Sequence, residues 1–258
     1  RIACLGGIYS NYLALEAALR LVTRRGVDAI FCLGDLGAFG PHPDRVFPLL
    51  DQYDVHCLQG NYDDSVGHQR DDCQCGYTDP RDNHFAQLSY DYTLGHTSAA
   101  NGTFLRGLPK QARIELGGRR VLLCHGSPRR VNEFLWESTT STQFLEKLSG
   151  DVGADWILAT HTGIKWYRPL AGGRGFVNVG VLGRPENDGQ TDVWLTILHA
   201  TSAGITPEFL PVPYDHRRLA TEMAAEGLPE EFQETILTGW WTTCLEVLPA
   251  KERRRGKY

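Results

Sequence analysis

Four side chains of types that bind metal ions each follow a strand-like run of the sequence. They are a carboxylate, a carboxamide and two imidazoles: Asp35, Asn61, His125 and His161. Mixed oxygen and nitrogen ligands of this kind suit a borderline divalent metal such as Mn²⁺, Fe²⁺ or Zn²⁺ better than Ca²⁺ or Mg²⁺. A lone histidine after a strand is usually structural, but four ligand-type residues at strand ends reverse that interpretation. We therefore expect a divalent transition metal at these residues.

The elements that must position these side chains alternate between strand and helix patterns in the first 60 residues. Strand-like runs cover Arg1–Leu5, Asp28–Leu33 and Asp54–Gln59, and amphipathic helix patterns cover Asn11–Arg24 and Pro43–Asp51. This βαβαβ order is typical of a mostly parallel sheet flanked by helices. Ligands of such sheets bind beyond the carboxyl ends of the strands. Because polar or glycine-rich motifs follow the predicted strands, we expect them to converge on one site.

The rest of the chain is predicted to form further helices and a second set of strands. Helices are expected at Asp82–Leu94, Ser98–Leu105, Ser141–Ser149, Arg217–Ala225 and Glu230–Thr238, after a polar segment that extends from residue 61 to about Pro80. A hairpin is expected at residues 112–124, followed by strands at Asp155–Ala159, Ile164–Leu170, Gly175–Val179, Asp192–Ala200 and Ile205–Pro211. We predict two sheets packed face to face, with the strands of residues 192–211 in the second sheet. One domain is expected over residues 1–213, with C-terminal helices and a basic tail, residues 214–258, packing on it.

The motifs, taken in order, resemble the calcineurin-like metallophosphoesterase family, and the match extends from Arg1 to about Pro213. They are Gly34-Asp35, Gly60-Asn61-Tyr62-Asp63, His125-Gly126-Ser127-Pro128 and Thr160-His161-Thr162-Gly163. The later run from Asn178 to Pro185 looks like a turn of the bacterial phosphodiesterase-like branch of that family. The resemblance implies an α/β fold, a four-layer α/β/β/α sandwich of two mixed sheets flanked by helices. It also implies a metal-dependent hydrolase that acts on phosphate esters.

The departures from the family pattern are as informative as the matches. Gly7 and Tyr9 stand where the family has Asp and His, and Gly163 stands where it has the last His. The resemblance implies that all three positions are ligands of the same one of two metals. The other metal keeps its whole set, which is Asp35, Asn61, His125 and His161. The leading interpretation is therefore a modified, mononuclear site with reduced or altered activity.

Three further residues are candidates for contacts with a substrate. Tyr62 replaces the general-acid histidine of the family, so we predict it as a catalytic residue that donates to a leaving oxygen. A tyrosine that merely packs over the site edge is the equal alternative, because a phenol with a pKa of about 10 is a poor acid at neutral pH. Tyr9 and Arg129 are predicted to bind substrate, Arg129 through its planar fork of donors.

Two of the seven cysteines differ from the other five in their sequence surroundings. Cys73 and Cys75 lie in the polar loop of residues 71–80 and are candidate extra metal ligands that, with Tyr9, rebuild the lost half-site. A redox or disulfide role and a purely structural loop are the alternatives. The odd total of seven cysteines, with four of them in apolar runs, favours a reducing, cytoplasmic location.

Composition argues against two classes of binding partner, nucleic acids and membranes. The formal net charge is −5, from 26 basic and 31 acidic residues, so no general positive field attracts nucleic acid. The apolar runs are far shorter than the roughly 20 residues of a membrane span, and the basic tail of residues 251–257 is expected to be a solvated end. The leading hypothesis is a phosphatase or phosphodiesterase that acts on a small phosphorylated molecule. The alternatives are a catalytically silent protein that binds a metal or a phosphorylated ligand, and a redox enzyme that uses iron and the loop of Cys73 and Cys75.

Overall fold

The protein, described over residues 1–254 by a computed structural model, is built from strands and helices that alternate along most of the chain. The strands are β1 (Ile2–Leu5), β2 (Ala29–Cys32), β3 (Val55–Cys57), β4 (Gln111–Leu116), β5 (Arg119–Cys124), β6 (Trp156–Ala159), β7 (Trp166–Leu170), β8 (Arg174–Asn178), β9 (Val193–Thr201) and β10 (Gly204–Val212). The helices are α1 (Tyr12–Arg25), α2 (Phe47–Gln52), α3 (Asn61–His68), α4 (Pro80–His96), α5 (Ala99–Gly107), α6 (Thr142–Val152), α7 (His216–Ala225), α8 (Glu230–Thr238) and α9 (Ala250–Arg253). Within the described range, no helix is both long and apolar enough to cross a membrane.

Two mixed sheets form the centre of the molecule. The first has the strand order β10-β9-β1-β2-β3 and the second has the order β4-β5-β6-β8-β7. Strands β1, β2 and β3 are parallel, as are β5, β6 and β8. The remaining strands extend each sheet with antiparallel pairs. The parallel strands of each sheet therefore present their carboxyl ends at one edge.

Alternation of side chains along the strands produces the layers. Ile2 and Cys4 of β1 pack in the core between the sheets, together with Val121 of β5. Ala3 and Leu5 face the opposite way and pack among residues of α1. A third apolar cluster joins the outer face of the second sheet to α6. The predicted four-layer α/β/β/α fold of two mixed sheets is confirmed.

The predicted sheet membership of the last two strands was wrong. Strands β9 and β10 belong to the first sheet, where β9 pairs with β1 and Ala3 lies opposite Ile197. The chain leaves β8 in the second sheet and crosses to the first over residues 179–183. The amide groups of Leu182 and Gly183 donate to the Gly7 carbonyl, at 2.9 Å and 2.8 Å. This crossing delivers β9 to the free edge of β1, which alternation in the sequence does not reveal.

The segment predicted to be polar and irregular after residue 60 contains a helix, α3. Asn, Gly and Asp have low helix propensity, so its sequence gives little helical signal. Tertiary contacts compensate for this, because six of its eight residues are buried, including Asn61, Tyr62 and Val66. The predicted helix at residues 43–51 is divided in the structure. A single 3₁₀ turn at Pro43–Arg45 precedes α2.

The C-terminal part of the chain packs on the helices beside the first sheet. Leu219, Met223 and Phe232 of α7 and α8 form an apolar cluster with Phe85 of α4. The segment that follows α8, residues 239–248, is tied to the start of α4 by hydrogen bonds, and we refer to it as the covering segment.

The expectation that the basic tail is a solvated end was wrong for its first part, because residues 251–253 lie in α9, where the buried Glu252 carboxylate accepts from the amide and the hydroxyl of Ser138. Residues 255–258 lie outside the described residues.

Asp82 is the principal anchor of the covering segment. Its carboxylate accepts the amide protons of Cys244, at 2.7 Å, and Glu246, at 2.8 Å. The Glu246 carboxylate in turn accepts the amides of Thr78 at 2.9 Å and Asp79 at 2.6 Å. The covering segment and the loop before α4 therefore hold each other in place.

We predict that Asp82→Ala lowers the free energy of unfolding by about 3 kcal/mol, because it leaves two amide groups without their charged acceptor. Urea unfolding measures the change. Asp91→Ala is the matched control, since Asp91 lies on the exposed face of the same helix and, within residues 1–254, accepts a hydrogen bond from Gln87 alone. That variant is expected to change stability by no more than about 0.5 kcal/mol. Equal stabilities of the two variants would contradict the anchoring role.

Candidate metal centre

Three of the four predicted metal ligands converge on one point. Candidate ligand atoms of Asp35, His125 and His161 all lie within 4.8 Å of one another. The His125 Nε2 atom lies 3.1 Å from Asp35 Oδ2 and 3.2 Å from His161 Nδ1. The three residues are only 3%, 1% and 8% exposed, respectively. A carboxylate and two imidazoles thus share a small, dry volume.

The position of this cluster follows from the two sheets. Asp35 lies in the loop after β2, while His125 and His161 lie just after β5 and β6. Because β2 belongs to the first sheet and the other two strands to the second, the cluster lies where the carboxyl ends of both sheets meet. This is the location expected for a ligand site in α/β sheets.

Asn61, the fourth predicted ligand, starts α3 beyond the end of β3. Its amide nitrogen donates to the Cys73 carbonyl at 2.9 Å, which fixes the orientation of the carboxamide. Its Oδ1 atom is buried and has no hydrogen-bond partner among the described residues, as is also true of His161 Nε2. Buried polar atoms without partners are uncommon in proteins and call for an explanation. A bound cation accounts for the unpartnered amide oxygen of Asn61.

Two of the cluster residues have unusual backbone conformations. Asp35 has a φ angle of 60° and His161 one of 67°, a left-handed region that residues other than glycine seldom adopt. The His161 loop is fixed by the Thr160 hydroxyl, which donates to the Gly180 carbonyl at 2.6 Å. Strain of this kind persists where the surroundings enforce it, and it is concentrated at functional sites.

Asp63, to which the sequence analysis assigned no role, organises the loops that carry two of the ligands. Its carboxylate accepts the amide protons of Asp35 at 2.7 Å, Leu36 at 3.0 Å and Gly60 at 2.8 Å. Burial and the neighbouring Asp35 carboxylate raise the pKa of Asp63 to about 6, while the three donors oppose that rise. An acidic residue at the third position of α3, after Gly60, is a capping pattern that could have revealed this role.

Hydrogen bonding and neighbouring charges give the two imidazoles different tautomer and pKa properties. The Nδ1 atom of His125 lies 2.7 Å from the Leu33 carbonyl, to which it donates, so Nε2 is the nitrogen that faces the cluster. Burial disfavours the charged form of His125, but the Asp35 carboxylate favours it and raises the pKa above its ordinary value. Burial and the neighbouring His125 lower the pKa of His161 to about 3, so this imidazole is neutral at pH 7. The donor set of one carboxylate, one amide oxygen and two imidazoles suits a borderline divalent metal.

The predicted substrate-contact residues are engaged with other parts of the protein. The Tyr62 hydroxyl donates to Ser89 Oγ of α4 at 2.9 Å, and burial raises its pKa well above the ordinary value. The Arg129 guanidinium pairs with Glu133, and its side chain is 52% exposed. Tyr9 is buried against Phe39. The roles suggested by the sequence for Tyr62, Arg129 and Tyr9 stay predictions.

Cys73 and Cys75 are joined by a disulfide bond. In this form neither sulfur is the thiolate that the metal-ligand alternative requires. The loop lies against the metal centre, because Asn61 Nδ2 approaches the Cys75 Sγ atom to 3.5 Å as well as donating to the loop backbone. The disulfide loop thus influences the metal centre by fixing the orientation of the Asn61 side-chain amide.

Aromatic side chains that the sequence did not single out enclose the centre. The ring of Phe134 lies 4.3 Å from that of His161, measured between centroids, and is stacked parallel to the ring of Trp136 at 5.7 Å. Trp241, from the covering segment, packs in the same cluster as Trp136. Trp241 lies 80 positions after His161, so local sequence patterns carry no signal for its contribution.

Comparisons with known proteins agree with the fold and the chemistry of the centre. The sequence model of the calcineurin-like phosphoesterase superfamily domain matches residues 1–200. An uncharacterised protein of Methanocaldococcus jannaschii is 26% identical over 257 residues, an alignment that covers 92% of this chain and 98% of the relative.

Two solved structures share the architecture. A hypothetical protein of Pyrococcus horikoshii superimposes with a TM-score of 0.77 at 19% identity, over 93% of this chain and 99% of that one. A metallophosphoesterase of Sphaerobacter thermophilus superimposes with a TM-score of 0.70 at 22% identity, over 92% and 98% of the two chains. At these identities the similarity is evidence of a common fold.

We predict that Asp63→Asn lowers the free energy of unfolding by about 2–4 kcal/mol, since the amide group replaces a charged acceptor shared by three backbone donors. Affinity for a divalent metal should fall as well, because the Asp35 and Asn61 loops lose their common anchor. Urea unfolding and Mn²⁺ titration measure the two effects. The control is Asp64→Asn, which affects an ion pair with Arg70 and should cost no more than about 1 kcal/mol. Unaltered metal affinity in Asp63→Asn would show that the loops do not depend on this carboxylate.

Proposed function

The chain belongs to the calcineurin-like phosphoesterase superfamily, and we propose that it is a hydrolase of a small phosphorylated molecule that works with one metal ion per chain. The observation that carries the proposal is the convergence of Asp35, His125 and His161 beside the unpartnered amide oxygen of Asn61. The family supplies the reaction class, and these side chains supply a centre that fits a metal.

The residues that would hold the ion are the four predicted from the sequence. Asp35 offers a carboxylate oxygen, Asn61 offers Oδ1, His125 offers Nε2 and His161 offers a neutral imidazole nitrogen. Mn²⁺, Fe²⁺ or Zn²⁺ suits this set of donors. A divalent ion held there supplies Lewis-acid chemistry toward a phosphate ester. The chain itself excludes water, fixes the His125 tautomer through Leu33 and orients Asn61 through the Cys73 carbonyl.

The surroundings of the centre support one ion rather than two. A side chain at Gly163 would begin 3.0 Å and 3.1 Å from ring atoms of Trp241, and the φ angle there is +79°. Burial raises the pKa of Tyr9 well above its ordinary value, so its phenol is a neutral group rather than an anionic ligand. With Cys73 and Cys75 in a disulfide, none of the suggested replacement ligands is in its metal-binding form.

A second function, binding without turnover, is favoured by one observation. Asp35 and His125 are 3% and 1% exposed, so a substrate phosphate must pass the aromatic side chains that enclose the centre. The same enclosure supports a small substrate for the hydrolase, and the choice between a monoester and a diester is left to experiment. A cytoplasmic location is part of the proposal. Five buried cysteines that form no disulfide support it, whereas the bond between Cys73 and Cys75 is of a kind that is rare in reducing compartments.

We expect purified protein reconstituted with Mn²⁺ to hold about one ion per chain, and His125→Ala and His161→Ala to lose it. Elemental analysis measures the metal, and p-nitrophenyl phosphate and bis-p-nitrophenyl phosphate measure turnover. His96→Ala, on the exposed end of α4, is the control and should retain both properties. Two ions per chain in the parent, or full metal content in His161→Ala, would overturn the assignment. Metal binding without turnover of either ester would favour the binding function.

A separate prediction concerns the disulfide loop. Replacing both Cys73 and Cys75 by serine should leave the metal content unchanged, because neither sulfur is a ligand. Elemental analysis of the double variant beside the parent checks this result. A loss of one ion per chain in the double variant would restore the metal-ligand alternative for the pair.

A further inference from the structure

Arg184 is a buried cation to which the proposed reaction has so far given no role. It is only 7% exposed. Its Nε atom is buried without a hydrogen-bond partner, and no carboxylate within residues 1–254 forms an ion pair with the guanidinium. By contrast, Lys165, whose side chain is 12% exposed, pairs with Glu186 at 2.6 Å. Among the described residues, the positive charge of Arg184 is therefore not paired with a carboxylate.

Aromatic rings hold the guanidinium in place without satisfying its donors. Its central carbon lies 3.6 Å from the centre of the Trp241 ring and 5.1 Å from that of Phe39. Trp241 is itself fixed, because its indole nitrogen donates to the Pro185 carbonyl at 2.7 Å and its amide donates to Asn187 at 2.9 Å. Stacking on rings leaves the edge of the guanidinium plane, where the N–H donors lie, available to a ligand.

The guanidinium lies beside the metal centre. A Cβ atom on Gly163, two residues after His161, would lie 3.7 Å from an Arg184 terminal nitrogen. The Tyr9 ring centre is 6.0 Å from the guanidinium carbon, and the Gly7 carbonyl accepts from the amide of Gly183 at 2.8 Å. Gly163 and Tyr9, two of the three positions that depart from the family pattern, thus lie beside the Arg184 guanidinium, and the third, Gly7, contacts the residue before it.

We propose that Arg184 is a phosphate-binding residue of this centre, a fixed guanidinium that takes the oxyanion of a phosphate ester or of released phosphate. Burying a charge without a partner is costly, so the free protein gains from an anion that pairs with it. A planar fork of donors matches two oxygens of a phosphate group. The inference rests on the proposed function for its substrate class, but the binding itself is separable from hydrolysis.

The test is calorimetric titration of inorganic phosphate into the full chain, both metal-free and loaded with Mn²⁺. Arg184→Gln should weaken phosphate binding about 10- to 100-fold in both states. It should leave the metal content unchanged, because Arg184 is not a ligand. The matched control is Arg168→Gln, since Arg168 also lies over an aromatic ring, Trp166, but at 5.7 Å and in the second sheet.

Measuring the stability of Arg184→Gln distinguishes a role of Arg184 in phosphate binding from a role in packing. Removing an uncompensated charge should leave the unfolding midpoint of Arg184→Gln equal to or above that of the parent, and phosphate should raise the midpoint of the parent only. A large destabilisation together with unchanged phosphate affinity would make Arg184 a packing residue. If Arg184→Gln does not fold, Arg184→Lys carries the test, because a lysine keeps the charge but loses the fork, and its affinity should fall several-fold.

The outcomes are distinct from those of the hydrolase proposal. Unchanged phosphate affinity in the folded variants, or no phosphate binding by the parent in either state, overturns the role of Arg184. A parent that turns over neither ester yet binds phosphate through Arg184 would refute the hydrolase proposal and support this one. To distinguish the sources of the oxyanion, p-nitrophenyl phosphate turnover at rising phosphate concentration should show competitive inhibition in the parent and weaker inhibition in Arg184→Lys.

Discussion

The carboxylate of Asp63 is the interaction on which the metal centre depends. It joins the loop after β2 to the loop after β3, because its Oδ2 atom accepts the amide protons of Asp35 and Gly60, one from each loop. One of these loops carries Asp35 in a strained left-handed conformation, and the other leads into Asn61 at the start of α3. Without this shared acceptor, three buried amides would lack partners and the left-handed turn would lack support. Asp63, which is not itself a proposed metal ligand, therefore sets the positions of two residues that are.

Burial and the charged groups around the centre determine the protonation of its imidazoles. Asp35 supplies one negative charge to a dry volume that also contains two imidazoles and, a short distance away, the Arg184 guanidinium. The neutral state of His161 at pH 7 reflects burial first and the cationic neighbours after it. Aromatic rings from the covering segment and from the region of Phe134 contribute to the burial of the centre, and burial strengthens electrostatic interactions. The covering segment is as much a part of the site as the loops that carry the ligands.

Local sequence patterns identified most of the strands, because β1, β2, β5 and β6 are short apolar runs between polar turns. They did not place β9 and β10, since an antiparallel partner for β1 is chosen by where the chain crosses between sheets. That crossing depends on hydrogen bonds from Leu182 and Gly183 to the Gly7 carbonyl, which join parts of the chain some 175 positions apart. Helix α3 was missed for a related reason. Its residues are poor helix formers that become helical because they are buried and because Asp63 satisfies amides at its start.

The sequence by itself determined the chemical types at the centre. A carboxylate, an amide and two imidazoles placed directly after strands of a βαβ pattern had to meet at the carboxyl ends of those strands, and the structure brings Asp35, His125 and His161 together there. Only the tertiary structure decided what occupies the other side of the centre. Arg184 is an ordinary residue of a turn in the sequence, and Trp241 lies 57 positions further along the chain. Their contact, and the absence of a carboxylate partner for Arg184 within residues 1–254, arise from packing between segments that no local pattern links, because burial and charge pairing are properties of the folded chain.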